Sequence, residues 1–148
     1  MAKQELVSLF GPIEQESKMY LYQATEYYSK EMGKNILRQL LSFENGVAAE
    51  KLADFKVQTN RLEAKLSEAG NRRVNLDCGL LSLDKIVIAS TKPANYRVYL
   101  KDGIYAQATY WFEKGTFHAW PWVYDEYKSS DIIIFFNSVR KKVGKDNG

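Results

Sequence analysis

Apolar residues recur at helical spacing through the first part of the chain. From Ile13 to about Met32 no proline or glycine interrupts the sequence, which predicts a helix that ends at Gly33. Asn35 is a suitable N-cap for a second helix. The rings and apolar side chains that define these two helices are Tyr20, Ala24, Tyr27 and Tyr28 in the first and Ile36, Leu37, Leu40 and Leu41 in the second.

A third helix is predicted over residues 48–69, where apolar positions step by four and three residues in alternation. Gly70 follows as a natural stop. This spacing is typical of an amphipathic helix that packs on its own domain, and equally of a helix that pairs with a second copy. If the helix pairs, its oligomer seam consists of Leu52, Phe55, Leu62 and Leu66.

The period changes after residue 75, and the sequence then predicts an antiparallel meander of about four strands. The stretch 81–90 alternates and then runs apolar, as strands do. Asp102-Gly103 is a strong signal for a two-residue hairpin turn, and Lys114-Gly115 is a weaker one.

The chain closes with a segment that predicts a helix. Ser129, Ser130 or Asp131 can cap it, and basic residues near residue 140 suit the negative end of the helix dipole. The run IIIFF, residues 132–136, is also compatible with one more buried strand.

These elements predict an α+β fold with two or three N-terminal helices, the meander and a C-terminal helix. The expected organisation is a helical region over residues 1–71 and a β-meander with its terminal helix over residues 72–148, joined in one compact domain. A chain of 148 residues has the size of one ordinary domain.

Residues 110–127 hold eight Phe, Trp and Tyr side chains and the only histidine of the chain. If both hairpin turns have two residues, alternation places all three tryptophans and His118 on one face of the sheet. The rings of that face are either a second core under the N-terminal helices or an exposed platform. The residues predicted to bind on such a platform are Tyr96, Tyr105, Trp111, His118, Trp120, Trp122 and Tyr124.

An aromatic platform suits three kinds of ligand. Single-stranded nucleic acid stacks its bases on such rings, a protein partner uses Trp and Tyr as hot spots, and a small molecule or nucleotide binds in a pocket beside the sheet. Nucleic acid also needs positive charge. The basic residues predicted to contact it are Arg72, Arg73, Arg140, Lys141 and Lys142.

The charge balance gives only weak support for nucleic acid. Residues 1–71 carry nine basic and ten acidic side chains, and residues 72–148 carry twelve and eight, so the net charge of +3 is mildly polarised. One cysteine, Cys78, excludes a disulfide within the chain and is typical of a reducing compartment. No signal peptide or membrane span is recognisable, which predicts a cytoplasmic protein.

No catalytic or metal-binding motif appears, so neither a cofactor nor a metal is predicted. His118 is the one candidate for a metal-independent nuclease or toxin-like activity. The stretch 13–52 resembles the helix pairs of rubrerythrin-type ferritin-like proteins, with Glu14, Glu16 and Glu44 in acidic positions. Val47 or Ala48 stands where that family has a histidine, so a di-iron site is not expected.

The sequence therefore predicts a small binding or regulatory protein without enzymatic activity, such as an inhibitor or adaptor of a phage or mobile element. It is expected to form a homodimer or higher oligomer and to recognise a protein or single-stranded nucleic acid through its aromatic face.

Overall fold

The computed structural model describes residues 2–21 and 36–146. The chain divides into two compact units: an N-terminal unit of residues 1–47 and 58–76, and a sheet unit of residues 48–57 and 77–148. Both contain antiparallel strands and helical residues, so the mixed α+β class with a helix near each terminus is confirmed. This division differs from the predicted one after residue 71, because one helix supplies residues to both units.

The N-terminal unit begins with a helix, but most of its predicted helical content is wrong. Its elements are α1 (Ala2–Phe10), β1 (Ile13–Glu16), β2 (Tyr20–Leu21), β3 (Leu37–Arg38) and β4 (Leu41–Phe43). Strand β1 pairs antiparallel with β4, and β2 pairs with β3. Each strand obtains its backbone partners from a segment distant in sequence, which local spacing does not reveal. Residues 22–35, with Ala24, Tyr27 and Tyr28, lie outside the described residues.

The helix predicted over residues 48–69 is present in its central part. A 3-10 turn, Ala49–Lys51, leads into α2 (Leu52–Lys65). The helix ends at Lys65, before the predicted stop at Gly70. Ala69 and Gly70, whose φ angles are 54° and 80°, lie instead in a tight turn between Glu68 and Asn71, which pair as an isolated bridge.

The sheet unit contains a five-stranded antiparallel sheet, so the four-stranded meander is wrong. Its strands are β5 (Gly79–Leu81), β6 (Lys85–Ser90), β7 (Arg97–Lys101), β8 (Ile104–Glu113) and β9 (Thr116–Ala119). Both two-residue turns are confirmed, because Lys101 pairs with Ile104 and Glu113 pairs with Thr116. The turn residues have the positive φ angles that this kind of hairpin requires.

Strands β7 and β9 lie end to end along the same edge of β8. Strand β6 pairs with β8 from Tyr105 to Trp111. Strand β7 pairs with residues 104–107 of β8, and β9 pairs with residues 110–113. Strand β6 already pairs with most of these residues of β8 along one edge. Strands β7 and β9 must therefore both occupy the other edge. The central strand is therefore flanked by one long strand on one edge and two short ones on the other.

A bulge at Thr109 exchanges the two faces of the sheet within β8. Val87 pairs with Ala108 and its neighbour Ile86 pairs with Tyr110, so Thr109 is the extra residue. Ala108 and Tyr110 consequently point to opposite faces. A second irregularity lies between Tyr99 and Lys101 in β7.

Each face of the sheet is covered by one helix. On the α2 face, Leu52 and Ala53 are buried against Ala89 and Ile104. The opposite face, the α3 face, has the core residues Ile86, Tyr110 and Phe117, with Ile133 and Phe136 of the last helix packed against them.

That last helix, α3 (Ser130–Asp146), confirms the predicted C-terminal helix and excludes the strand alternative for residues 132–136. A 3-10 turn, Asp125–Lys128, precedes it. Within the described part of the chain, no helix is long and apolar enough to cross a membrane.

Candidate functional site

Five rings of the predicted platform contact one another in a single row on the sheet unit, which we call the ring row. In order along the row, its members are His118, Trp111, Trp120, Trp122 and Tyr96. Consecutive centroids are 5.1, 4.3, 5.2 and 5.5 Å apart. Three of the four contacts are stacked, and the Trp111–Trp120 pair is tilted by 40°.

These rings come together because of the bulge at Thr109 and because the start of β7 lies next to the end of β9 along β8. Trp111 and His118 are direct cross-strand partners and share the α2 face. The backbone N–H of Trp120 donates to the carbonyl of Thr109 at 3.0 Å, which extends the pairing of β9 to the bulge. Tyr96 precedes β7, so its stacking on Trp122 joins the ends of the two short strands.

Hydrogen bonds fix the orientation of three rings. The indole N–H of Trp111 donates to Oε2 of Glu113 at 3.1 Å, and the indole N–H of Trp122 donates to the Ala108 carbonyl at 2.9 Å. His118 Nε2 lies 2.9 Å from the Glu113 carbonyl. Because a carbonyl only accepts, this nitrogen carries the proton. The row is therefore held in one arrangement before any partner arrives.

The ring row is neither a closed core nor a flat open platform. None of its five residues is buried, and Tyr96 and Trp122 are 38% and 36% exposed. The stacked contacts occupy ring faces within the row, so the surface offers mainly ring edges. Val98 pairs with Ala106 and therefore lies on the α2 face, as the row does. Its side chain is 67% exposed.

Two predicted binding residues lie outside the row. Tyr105 is on the α3 face, where it pairs with Tyr99 and contacts its ring edge-on at 5.3 Å. The predicted alternation placed Tyr105 with the tryptophans, and the bulge at Thr109 makes that assignment wrong. Tyr124 is 70% exposed, and no ring of the described residues stacks on it.

The predicted basic contacts lie on elements other than those that carry the row. Arg140 places its guanidinium 3.4 Å from the centroid of Phe112, a ring of the α3 face, and its Nε donates to the Leu83 carbonyl at 2.7 Å. Lys141 and Lys142 follow it on α3. Arg72 and Arg73 belong to the N-terminal unit, where they bond Asn75 at 2.8 Å and Glu68 at 2.6 Å, respectively.

Two cations beside the row are also bound to neighbouring groups. Arg97 lies 5.4 Å from the centroid of Tyr96, and its guanidinium donates to Gln107 Oε1 at 2.8 Å and to the Lys92 carbonyl at 2.7 Å. Lys85, which pairs with Trp111 across the sheet, is bonded to Asp84 at 2.6 Å. The bond from Lys85, together with one from Ser82, lowers the pKa of Asp84 below its usual 3.8.

His118 is held in position by two contacts. One of its nitrogens is bonded to a backbone carbonyl and its ring is stacked on Trp111. No group of His, Cys, Asp and Glu side chains among residues 2–21 and 36–146 is arranged to hold a metal ion. The resemblance to ferritin-like helix pairs also fails, because Glu14 and Glu16 lie in β1 and Glu44 directly follows β4.

The predicted oligomer seam is partly used within the chain. Leu52 and Leu62 are buried, at 3% and 5% exposure, and Phe55 and Leu66 are half-buried. A second helix cannot reach the buried leucines while the fold is intact. The expected homodimer or higher oligomer stays a prediction.

Sequence reasoning missed Glu113, which orients both Trp111 and His118. A signal was present, because Trp111 and Glu113 are two residues apart on one strand and so project to the same face. Thr109 was missed as well, and nothing in the local sequence distinguishes it from an ordinary strand residue.

Comparison with curated proteins and with solved structures found no match. Comparison with protein families found one, described as Domain of unknown function (DUF4416), over residues 1–143. Since this match covers almost the whole chain, the protein belongs to the DUF4416 family.

Proposed function

We propose that this protein is a binding module that recognises a partner protein through the ring row. The observation that carries the proposal is a set of five mutually contacting rings, none buried, with Tyr96 and Trp122 more than a third exposed. Tryptophan and tyrosine dominate the energetics of protein interfaces, because they combine a large apolar area with a polar group.

The fixed geometry of the row favours tight recognition. Association costs free energy whenever flexible side chains must be ordered at the interface. Here Trp111, His118 and Trp122 are already held by hydrogen bonds and by stacking. A partner that binds this surface therefore meets a smaller ordering cost than it would on separate, mobile rings.

Apolar neighbours extend the surface beyond the row. Val98 is 67% exposed on the same face, two residues from Tyr96. Exposed apolar residues scattered singly are ordinary, whereas a contiguous group marks a site of interaction. The combination of aromatic edges with an exposed aliphatic side chain suits the apolar centre of a protein interface.

Single-stranded nucleic acid fits this surface less well. Bases stack on free ring faces, and the faces between neighbouring rings of the row are already paired. Counterion release also needs several cations that contact phosphate, whereas Lys85 is already paired with Asp84 and Arg97 supplies a single charge beside the row.

A fluorescence experiment separates these two partners. All three tryptophans belong to the row, so native emission and its quenching by acrylamide report directly on it. We expect partial quenching and no response to oligothymidylate at low salt. A spectral change that disappears as salt is added would overturn the assignment to a protein partner and indicate phosphate contacts.

Photocrosslinking tests for the partner itself. A benzophenone amino acid replaces Tyr96 in the row or, as a control, Ile134, which is 63% exposed on α3. After illumination in an extract of the native host, we expect a discrete protein adduct only from position 96. The adduct should be lost when Trp122→Ala is added. Equal labelling from both positions, or a nuclease-sensitive adduct, would contradict the proposal.

A further inference from the structure

The two short strands on the same edge of β8 differ in how their outer sides are protected. On β9, the N–H of Phe117 donates to Oδ1 of Asn137 at 3.0 Å, and Nδ2 of Asn137 donates to Thr116 Oγ1 at 2.9 Å. Asn137 belongs to α3, so this helix covers the outer side of β9. An edge capped in this way cannot pair with another strand.

No described element covers the outer side of β7 in this way. It pairs with β8 on one side, and no further strand of the described residues lies on the other. Val98, Tyr99 and Leu100 are 67%, 57% and 40% exposed. Proteins usually protect an edge strand with charges, proline or a covering element, because its free N–H and C=O groups invite pairing. Here the protection is limited to the bulge at Leu100 and the terminal charges of Arg97 and Lys101.

We infer that the partner of the ring row binds as an added β-strand along β7, through an extended segment with acidic residues flanking apolar ones. This inference rests on the proposed function. Val98 and Tyr96 both lie on the α2 face, and Trp122 stacks on Tyr96 at 5.5 Å. A strand placed beside β7 therefore sets every second side chain against Val98 and the end of the ring row.

The charges of β7 favour a partner of opposite sign over a second copy of this chain. Arg97 and Lys101 stand at its two ends. Antiparallel self-pairing would bring Arg97 of one copy to the strand end that carries Lys101 of the other, and parallel self-pairing would place each cation opposite its own copy. Like charges directly opposite each other destabilise a strand pair, whereas opposite charges stabilise it. Asp54 already forms an ion pair with Lys101 at 2.7 Å, so we expect an acidic residue of the partner to pair with Arg97.

The test uses a synthetic heptapeptide, Thr-Glu-Val-Thr-Val-Glu-Thr, capped at both ends. Its palindromic order presents the same residues to β7 in either direction. Titration into the full-length protein labelled with nitrogen-15 follows the backbone amides of residues 97–101 and the indole N–H groups of Trp120 and Trp122. We expect both sets of resonances to shift together and saturate with one dissociation constant.

Matched variants define the mode of binding. Val98→Lys should weaken binding roughly tenfold, because a charge is introduced at the edge, whereas Ile134→Lys, equally exposed on α3, should leave it unchanged. A peptide with lysine in place of both glutamates should bind roughly tenfold more weakly. Of two alternately N-methylated peptides, only one should lose binding, because an added strand directs every second N–H toward its neighbour.

The two sets of resonances separate the two claims. Shifts of the indole groups without the amides of β7, or equal binding of both N-methylated peptides, would overturn strand addition and leave the proposed function standing. Shifts of β7 without the indoles would overturn the role of the ring row. If the heptapeptide produces no shift at millimolar concentration, strand addition along β7 is overturned.

Discussion

The indole N–H of Trp122 donates a 2.9 Å hydrogen bond to the carbonyl of Ala108, at the place where neither β7 nor β9 pairs with β8. Strand β7 reaches Gln107, and β9 begins to pair at Tyr110 and extends to Thr109 through the N–H of Trp120. The Ala108 carbonyl lies between these two ends. A side chain of the ring row thus replaces a strand at the junction, so the row has a structural role as well as the proposed one.

Trp122→Phe tests that role, because it keeps an aromatic ring and removes the donor. We expect the free energy of unfolding to fall by about 0.5–1.5 kcal/mol, the usual net value of one hydrogen bond. Urea denaturation measures it. Trp120→Phe is the matched control, since the indole N–H of Trp120 donates no hydrogen bond to any of the described residues. Equal losses in the two variants would show that the bond to Ala108 contributes nothing.

Tyr110→Phe is expected to destabilise the sheet unit. Tyr110 is 0% exposed, and its hydroxyl donates to the Tyr127 carbonyl at 2.7 Å. Removing the hydroxyl leaves that half-buried carbonyl without this donor, at a cost of about 1–2 kcal/mol. Tyr124→Phe, at a residue that is 70% exposed, should change the unfolding midpoint negligibly. A neutral Tyr110→Phe would mean that water replaces the hydroxyl.

Gly79→Ala is expected to strain the pairing of β5 with β6. A Cβ at this position would lie 2.6 Å from the Val87 carbonyl oxygen and 2.6 Å from Cδ1 of Ile88. Since the oxygen belongs to the backbone, relief requires a strand to shift, and we expect a loss of about 1–3 kcal/mol. Gly46→Ala meets no atom within 4 Å and provides the steric control. Calorimetry on both variants makes the comparison, and similar melting temperatures would contradict the prediction.

The ion pair between Asp54 and Lys101 gives the stability of the sheet unit a pH dependence. The hydrogen bond from Lys101, 2.7 Å long, lowers the pKa of Asp54 below its usual 3.8 and raises the pKa of Lys101 above 10.5. A lowered carboxyl pKa stabilises the fold above pH 3.8, and this contribution disappears as the pH falls through the folded value. A raised lysine pKa contributes below pH 10.5 and loses its effect as the pH rises through the folded value.

We therefore expect Asp54→Asn to lower the melting temperature slightly near neutral pH. The difference from the wild type should shrink below pH 3.8 and again above pH 10.5. Both side chains are partly exposed, so added salt should also reduce it. Melting curves across this range are the measurement, and a difference that is constant with pH would exclude the ion pair as its cause.

Asn137→Ala should expose the outer side of β9. The N–H of Phe117 loses its acceptor, so hydrogen exchange at this amide should accelerate and stability should fall by about 1–3 kcal/mol. Asn137→Asp keeps an acceptor oxygen and should restore most of the protection. If the aspartate variant exchanges as fast as the alanine variant, the bond to Oδ1 is not what protects Phe117.

Local signals identified the elements of the C-terminal half well. The turns at Asp102-Gly103 and Lys114-Gly115 are encoded by residues that tolerate positive φ, so short-range sequence specifies them. The helix that begins at Ser130 has a local origin as well. Five of the seven predicted binding residues are neighbours in space for this reason, since two hairpins place them near one another.

Long-range pairing decided what the sequence pattern could not. Residues 13–16 and 41–43 show no strong alternation, yet they become strands because each supplies the backbone partners of the other. Tyr105 was assigned to the wrong face because a single bulge at Thr109 reverses the alternation along β8. A threonine at position 109 does not by itself predict a bulge. The bulge follows from the pairing of Ile86 with Tyr110 and of Val87 with Ala108.

By itself, then, the sequence determined the C-terminal helix, the two tight turns and the concentration of rings between residues 110 and 124, because each depends on nearby residues. Only the tertiary structure decided that β7 and β9 share one edge of β8, that the five rings stack in a row, and that the outer side of β7 is left open. These features depend on which distant backbone groups pair, and many pairings satisfy the same local preferences.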